Sequence, residues 1–182
     1  QTVLTAKTAG LEVCSGGIFG MGESWEQRVE LAFLLRELDV DVIPINFLNP
    51  IEGTRLSQRP LLPPLEALAC IALFRFIHPR KGITVCGGRE VTLQDFQSWV
   101  FFVGANGLMV GNYLTTQGRN IESDLEMIAH MGLNDAPAGG GRGRSVATLL
   151  LLSLRPEQWT KNLIVFAGLL FGLQLFVPGA FV

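Results

Sequence analysis

Short apolar runs alternate with helix-spaced stretches along the first 133 residues, and that alternation limits the chain to few architectures. Leu11 to Ile18 is apolar, rich in small residues, and reads as a strand. Ser24 to Leu38 follows with helical spacing, and Ser24 with Gln27 three residues on forms a capping box for the free N–H groups at the helix start. Val40 to Leu48 is a second strand. Pro63 and Pro64 open a second helix that runs through Ile77, and Pro79 stops it. Gly82 to Cys86 is a third strand, and Thr92 caps a third helix reaching about Phe102. Gly107 to Val110 is a fourth strand, and Asn120 to His130 a fourth helix closed by Gly132.

This α/β pattern reads as (βα)4 over residues 1–133, with parallel strands joined by helical crossovers. The strands are nearly all apolar, as expected when both faces are covered. Four such units make half of a (βα)8 barrel or part of an open, doubly wound sheet. Either arrangement gathers ligands at the C-terminal ends of the strands.

The composition changes after that. Residues 134–145, with a Gly-Gly-Gly-Arg-Gly-Arg run, read as a flexible linker. Within residues 146–182, Leu163 to Val182 carries no charged residue and has about the length that crosses a bilayer as a helix. Arg142, Arg144, Arg155 and Lys161 precede it, so the positive-inside tendency keeps the N-terminal domain cytoplasmic while the tail contacts the membrane. The net charge of -2 gives no reason to expect nucleic acid. Three cysteines without C-x-x-C spacing argue against a disulfide framework and for a reducing compartment.

The strand ends carry the candidate chemistry. The first offers Cys14 and then Ser15-Gly16-Gly17; the second, Asn46; the third, Cys86 and then Gly87-Gly88-Arg89-Glu90; the fourth, Asn112 and then Thr115-Thr116. A thiol, a carboxamide, a guanidinium and hydroxyls at one mouth would make a small-molecule site. Each also has a plain structural reading. Cys14 can be a small buried hydrophobe or a thiolate ligand for a soft metal. Asn46 can be a satisfied core amide, Arg89–Glu90 a structural ion pair, and Thr115-Thr116 a turn. The Gly16-Gly17 pair is only a weak phosphate-loop signal. Cys70 falls mid-helix among Ala69, Ile71 and Ala72 and reads as core, His78 before Pro79 reads as a helix-end cap or solvent contact rather than a metal ligand, and His130 has no second ligand at helical spacing.

As a set, Val13-Cys-Ser-Gly-Gly-Ile-Phe-Gly-Met-Gly-Glu23, Ile43-Pro-Ile-Asn-Phe-Leu48, Gly87-Gly-Arg-Glu90, Gly104-Ala-Asn106 and Gly111-Asn-Tyr-Leu-Thr-Thr116 resemble the biotin synthase family in order and spacing, from about Thr2 to Leu133. The resemblance implies strands five to eight of a radical S-adenosylmethionine barrel that inserts sulfur into dethiobiotin. It implies an auxiliary iron–sulfur cluster of the 2Fe–2S type or a variant, bound by Cys14. It places Asn46 near the substrate's ureido ring, Thr115 and Thr116 near its carboxylate, and Ile18, Phe47 and Leu48 at the S-adenosylmethionine pocket. Many members have an arginine cluster ligand where this chain has Thr84. Cys86, two residues on and on the same strand face, is then the expected substitute ligand.

The family's C-x-x-x-C-x-x-C loop does not occur in this sequence. The resemblance therefore implies that the 4Fe–4S ligands and the N-terminal barrel half lie elsewhere, that this chain alone is inactive, and that the intact enzyme is a homodimer. The tail from Leu154 to Leu163 and the apolar run after it resemble the first membrane helix of polyprenyl-type prenyltransferases. Two rival readings follow: a prenyltransferase fragment behind a barrel remnant, and a non-catalytic half-barrel that binds a small molecule.

Overall fold

A computed structural model describes residues 1–113 and 116–133. Thr115, the linker 134–145 and the tail 146–182 lie outside the described residues. Among the described residues no helix is long and apolar enough to cross a membrane.

The chain runs α1 (Thr2–Thr8), β1 (Gly17–Phe19), α2 (Trp25–Glu37), β2 (Val42–Phe47), α3 (Pro64–Ile77), β3 (Gly82–Val85), α4 (Arg89–Leu93), a 3₁₀ turn at Gln94–Phe96, α5 (Trp99–Phe102), β4 (Gly107–Leu108) and α6 (Ile121–His130). The strands form one parallel sheet in the order β1-β2-β3-β4, so each strand pairs with the next in sequence. With crossovers of one hand, that order carries every connecting helix to the same side of the sheet.

Burial agrees with a sheet covered on one side. On β2 the residues alternate, with Ile43, Ile45 and Phe47 buried and Val42, Pro44 and Asn46 partly exposed. On β3, Ile83 and Val85 are buried, while Gly82 and Thr84 are partly exposed. The buried set forms the core with Ala32 and Leu35 of α2 and with Ala67, Leu68, Cys70, Ile71 and Phe74 of α3. Phe19 of β1 meets Phe74 edge to face at 5.3 Å, an arrangement favoured by the ring quadrupoles.

Local sequence explains the helix starts. The Ser24 hydroxyl accepts from Gln27 N at 3.3 Å and the Gln27 side chain accepts from Ser24 N at 2.8 Å, completing the expected capping box. Proline stands at the first position of α3, where a missing N–H costs nothing, and the helix ends at His78, just before Pro79.

Three elements differ from the sequence expectation. The first strand is interrupted: an isolated bridge joins Cys14 to Val42, and regular pairing begins only at Gly17. Ser15 N donates to Val42 O at 3.0 Å, but Pro44, two residues further along β2, has no N–H with which to continue the ladder. The expected helix from Thr92 to Phe102 is divided into α4, the 3₁₀ turn and α5, and Thr92 lies inside α4 rather than capping it. Gln94, with φ of 49°, makes the break, since a left-handed residue cannot continue a helix. Helix α1 has no fully buried residue and is tied down by Lys7, whose ammonium donates to Asp41 at 3.0 Å.

Candidate functional site

Side-chain alternation puts Asn46 and Thr84 on the sheet face opposite the core, while Ile18 and Phe19 of β1 divide between the two faces. Ile18 pairs in register with Asn46, and Pro44 with Thr84. Thr84 also pairs with Gly107 of β4, where an added Cβ would lie 2.6 Å from the Thr84 hydroxyl. Cys86 directly follows β3, two residues beyond Thr84, and its N–H extends the ladder to Ile45 O at 2.8 Å. Phe47 points the other way: it is 3% exposed and packs in the core, so its ring does not reach the uncovered face. Leu48 is partly exposed and its N–H donates to Phe19 O at 2.8 Å.

Two thiols belong to this region. Cys14 is half-buried and Cys86 is buried. Burial pushes the Cys14 thiol up to about 11. It raises Cys86 further, with an added contribution from the charge of a Cys14 thiolate. Cys86 Sγ donates to Thr84 O at 3.5 Å. Among the described residues no group of three or more His, Cys, Asp or Glu side chains could hold a metal ion. Two soft thiol donors therefore fit part of an iron–sulfur ligand set and do not complete one. Cys70, fully buried in α3, belongs to the core as its neighbours suggest.

The Asn46 carboxamide ties three strands together. Its Oδ1 accepts from Gly87 N at 3.0 Å, and its Nδ2 donates to Gly17 O at 3.4 Å. One amide hydrogen and a second oxygen lone pair are left over for a ligand. Gly88 follows with φ of 78°, and a Cβ there would stand 2.0 Å from the Phe47 carbonyl oxygen. The turn after β3 therefore requires glycine, and it delivers Arg89 and Glu90 to their places.

Arg89 is fully buried, yet its main partner is not the neighbouring Glu90. Its guanidinium pairs with the fully buried Asp124 of α6, bonds Gln97, donates to Met109 O at 3.3 Å, and lies 3.5 Å from Glu90. Asp124 is a partner that sequence reasoning missed. The signal was present: an acid occupies the apolar stripe formed by Ile121 and Ile128 on α6. Glu90 turns instead to the segment after β4. Its Oε1 accepts from the Tyr113 hydroxyl at 2.8 Å and lies 3.4 Å from the Arg119 N–H, and the Tyr113 hydroxyl stands 3.3 Å from Cys86 O. Tyr113 N also donates to Thr116 O at 3.0 Å. A shallow cleft of about 290 Å³ opens on the same segment, beside Asn112 and Arg119.

A matching arrangement follows β1. Glu23 accepts from Gly20 N at 2.9 Å and Met21 N at 2.8 Å, and pairs with the buried Arg28, which also bonds Glu66 of α3 at 2.8 Å. Each of these two strand ends thus has a glutamate that fastens a loop.

Comparison with known proteins places this geometry in a family. Residues 44–134 match the family model described as Biotin and Thiamin Synthesis associated domain. The chain is 70% identical over 128 residues to a biotin synthase of Syntrophus aciditrophicus, covering 70% of this chain and 39% of that protein. It is 60% identical over 144 residues to one from Nitratidesulfovibrio vulgaris, covering 79% and 40%. A biotin synthase of Geobacter metallireducens is 62% identical over 133 residues, covering 73% and 40%. The chain thus spans about two fifths of the length of the curated relatives it matches.

Proposed function

Because the chain belongs to the Biotin and Thiamin Synthesis associated domain family, we propose that it is the substrate and auxiliary-cluster half of a biotin synthase, converting dethiobiotin to biotin with S-adenosylmethionine. The identity of 70% to a biotin synthase over 128 residues carries this reading. The sequential strand order supports half of a (βα)8 barrel, since a doubly wound sheet would reverse its order at a switch point. On this reading the uncovered face of the sheet lines the barrel interior, and the other strands come from sequence that the relatives have beyond the matched span.

Cys14 and Cys86 would hold the auxiliary cluster, with Cys86 standing in where Thr84 offers no nitrogen donor. Such a cluster, when bound, supplies the sulfur atom of the product. Asn46 uses its free amide hydrogen and lone pair to orient the cyclic urea of dethiobiotin. Its bonds to Gly17 and Gly87 keep that amide from rotating. Thr116, held through its carbonyl by Tyr113 N, offers its hydroxyl to the substrate carboxylate. Ile18 and Leu48 lie on the side where S-adenosylmethionine would pack.

The test is conversion of dethiobiotin by the cluster-reconstituted protein that carries this sequence. Biotin formation that requires S-adenosylmethionine and reductant is expected. Its absence in protein with full iron content would sink the reading and favour a half-barrel that only binds a small molecule. The Cys86 assignment is tested separately: Cys86→Ala is expected to lose the auxiliary-cluster spectrum, and a full spectrum in that variant would remove Cys86 from the ligand set.

A further inference from the structure

Tyr113 and Glu90 stand between the candidate cluster thiol and the candidate carboxylate-binding hydroxyl, and the chemistry outlined above uses neither. We propose that they are positioning residues, a clasp that fixes Tyr113 and Arg119, beyond β4, against the first turn of α4 just after β3, and so sets affinity for dethiobiotin. The proposal rests on the biotin synthase reading.

The geometry has three parts. The Glu90 carboxylate meets both residues: the Tyr113 hydroxyl on one side at 2.8 Å and the Arg119 N–H on the other at 3.4 Å. The Tyr113 hydroxyl also lies 3.3 Å from the backbone carbonyl of Cys86, so one side chain spans from the strand end that carries the thiol to the loop that carries Thr116. Arg89, 3.5 Å from Glu90 and fully buried on Asp124, fixes the carboxylate from behind. These contacts join the first turn of α4 to residues 23 and 29 positions later in the chain. β4 itself is short, pairing through Gly107 and Leu108, and beyond it Arg119 also lies 3.7 Å from Asp124 of α6.

A glutamate that accepts a buried phenol hydrogen forms a charge-assisted bond, stronger than a neutral one. The apparent affinity of a ligand that needs these residues ordered scales with the fraction of time they are ordered.

The test uses Tyr113→Phe, Glu90→Ala and Glu90→Gln in the cluster-reconstituted enzyme. Loss of one charge-assisted hydrogen bond predicts a rise in KM for dethiobiotin of about tenfold in Tyr113→Phe and Glu90→Ala. The auxiliary-cluster spectrum and kcat are expected to stay near those of the parent. Glu90→Gln keeps an acceptor oxygen and should recover most of the affinity. Amide exchange of residues 111–113 and 116–119, measured without substrate, should quicken in the first two variants. An unchanged KM in both, or a rise matched by equal loss of cluster, overturns the proposal. A parent enzyme that fails to convert dethiobiotin overturns the functional reading instead; unchanged exchange in the variants overturns the clasp in that case too.

Discussion

Arg89 at the start of α4 and Asp124 on α6 are both fully buried and paired with each other, 35 residues apart in sequence. Asp124 Oδ1 has no hydrogen-bond partner, and Arg119 stands 3.7 Å away. Removing Arg89 leaves the buried Asp124 with only the Arg119 charge at 3.7 Å, and removing Asp124 leaves the buried Arg89 with only the Glu90 charge at 3.5 Å. Arg89→Met is therefore expected to cost about 3–5 kcal/mol in urea unfolding, and Asp124→Leu a similar amount. The double variant should be more stable than the sum of the two predicts, because no lone charge remains. Strict additivity in this cycle would show that the pair is not coupled.

Gly88 carries the turn that brings Arg89 inward. Gly88→Ala meets two penalties: φ of 78°, and a Cβ 2.0 Å from the Phe47 carbonyl oxygen. Gly53 has φ of 82° with nothing within 4 Å, so Gly53→Ala meets only the first. The loss of stability is expected to be about 1 kcal/mol at Gly53 and more than about 2 kcal/mol at Gly88. Denaturant midpoints of the two variants decide this, and equal shifts would mean that the close approach at Gly88 relaxes freely.

These two sites also show where the sequence was informative. Gly87-Gly88 marked the end of the third strand, and Ser24 with Gln27 marked the start of α2, because turn and cap chemistry is local. The four βα units were legible for the same reason: periodicity and punctuation act over a few residues. The interruption of the first strand was not legible, because it depends on Pro44 facing it from another strand. The broken third helix turns on the backbone conformation of Gln94, which no residue type announces. Site residues followed the same rule. Asn46 stood out as polar within an apolar run, whereas the partnership of Glu90 with Tyr113 joins α4 to a residue 23 positions later, beyond β4, and is made by the tertiary fold.

Cys14 gives a chemical check on the uncovered face. Its thiol is half-buried and pushed up to about 11. Only about one molecule in a thousand then carries the thiolate at pH 8, and alkylation is expected to quicken about tenfold per pH unit up to pH 10. Cys70 and Cys86, both buried, should react only on unfolding. Peptide mass spectrometry of cluster-free protein after timed iodoacetamide treatment reads all three thiols at once. A Cys14 rate that levels off near pH 9 would place that thiol in water, away from the sheet face described for it.

His78 supplies the pH dependence of the scaffold. It is 2% exposed, stacks on Phe74 at 6.3 Å, and its Nε2 lies 2.8 Å from Ala32 O. A carbonyl only accepts, so Nε2 bears the hydrogen and the ring joins α3 to α2 in its neutral form. Burial is the main cause that holds the His78 pKa below 6.5, with Arg36, Lys81 and Arg75 adding to it against the Ala32 bond. The unfolded chain therefore takes up a proton at higher pH than the folded one. Stability from this group is complete above about pH 6.5 and is lost as pH falls toward the folded value, at up to about 1.4 kcal/mol per pH unit. Unfolding free energies at pH 7, 6 and 5 should fall more steeply for the parent than for His78→Gln. Parallel slopes for parent and His78→Gln would mean that the ring charges in place, and the α2–α3 contact would then have to open to water without loss of the fold.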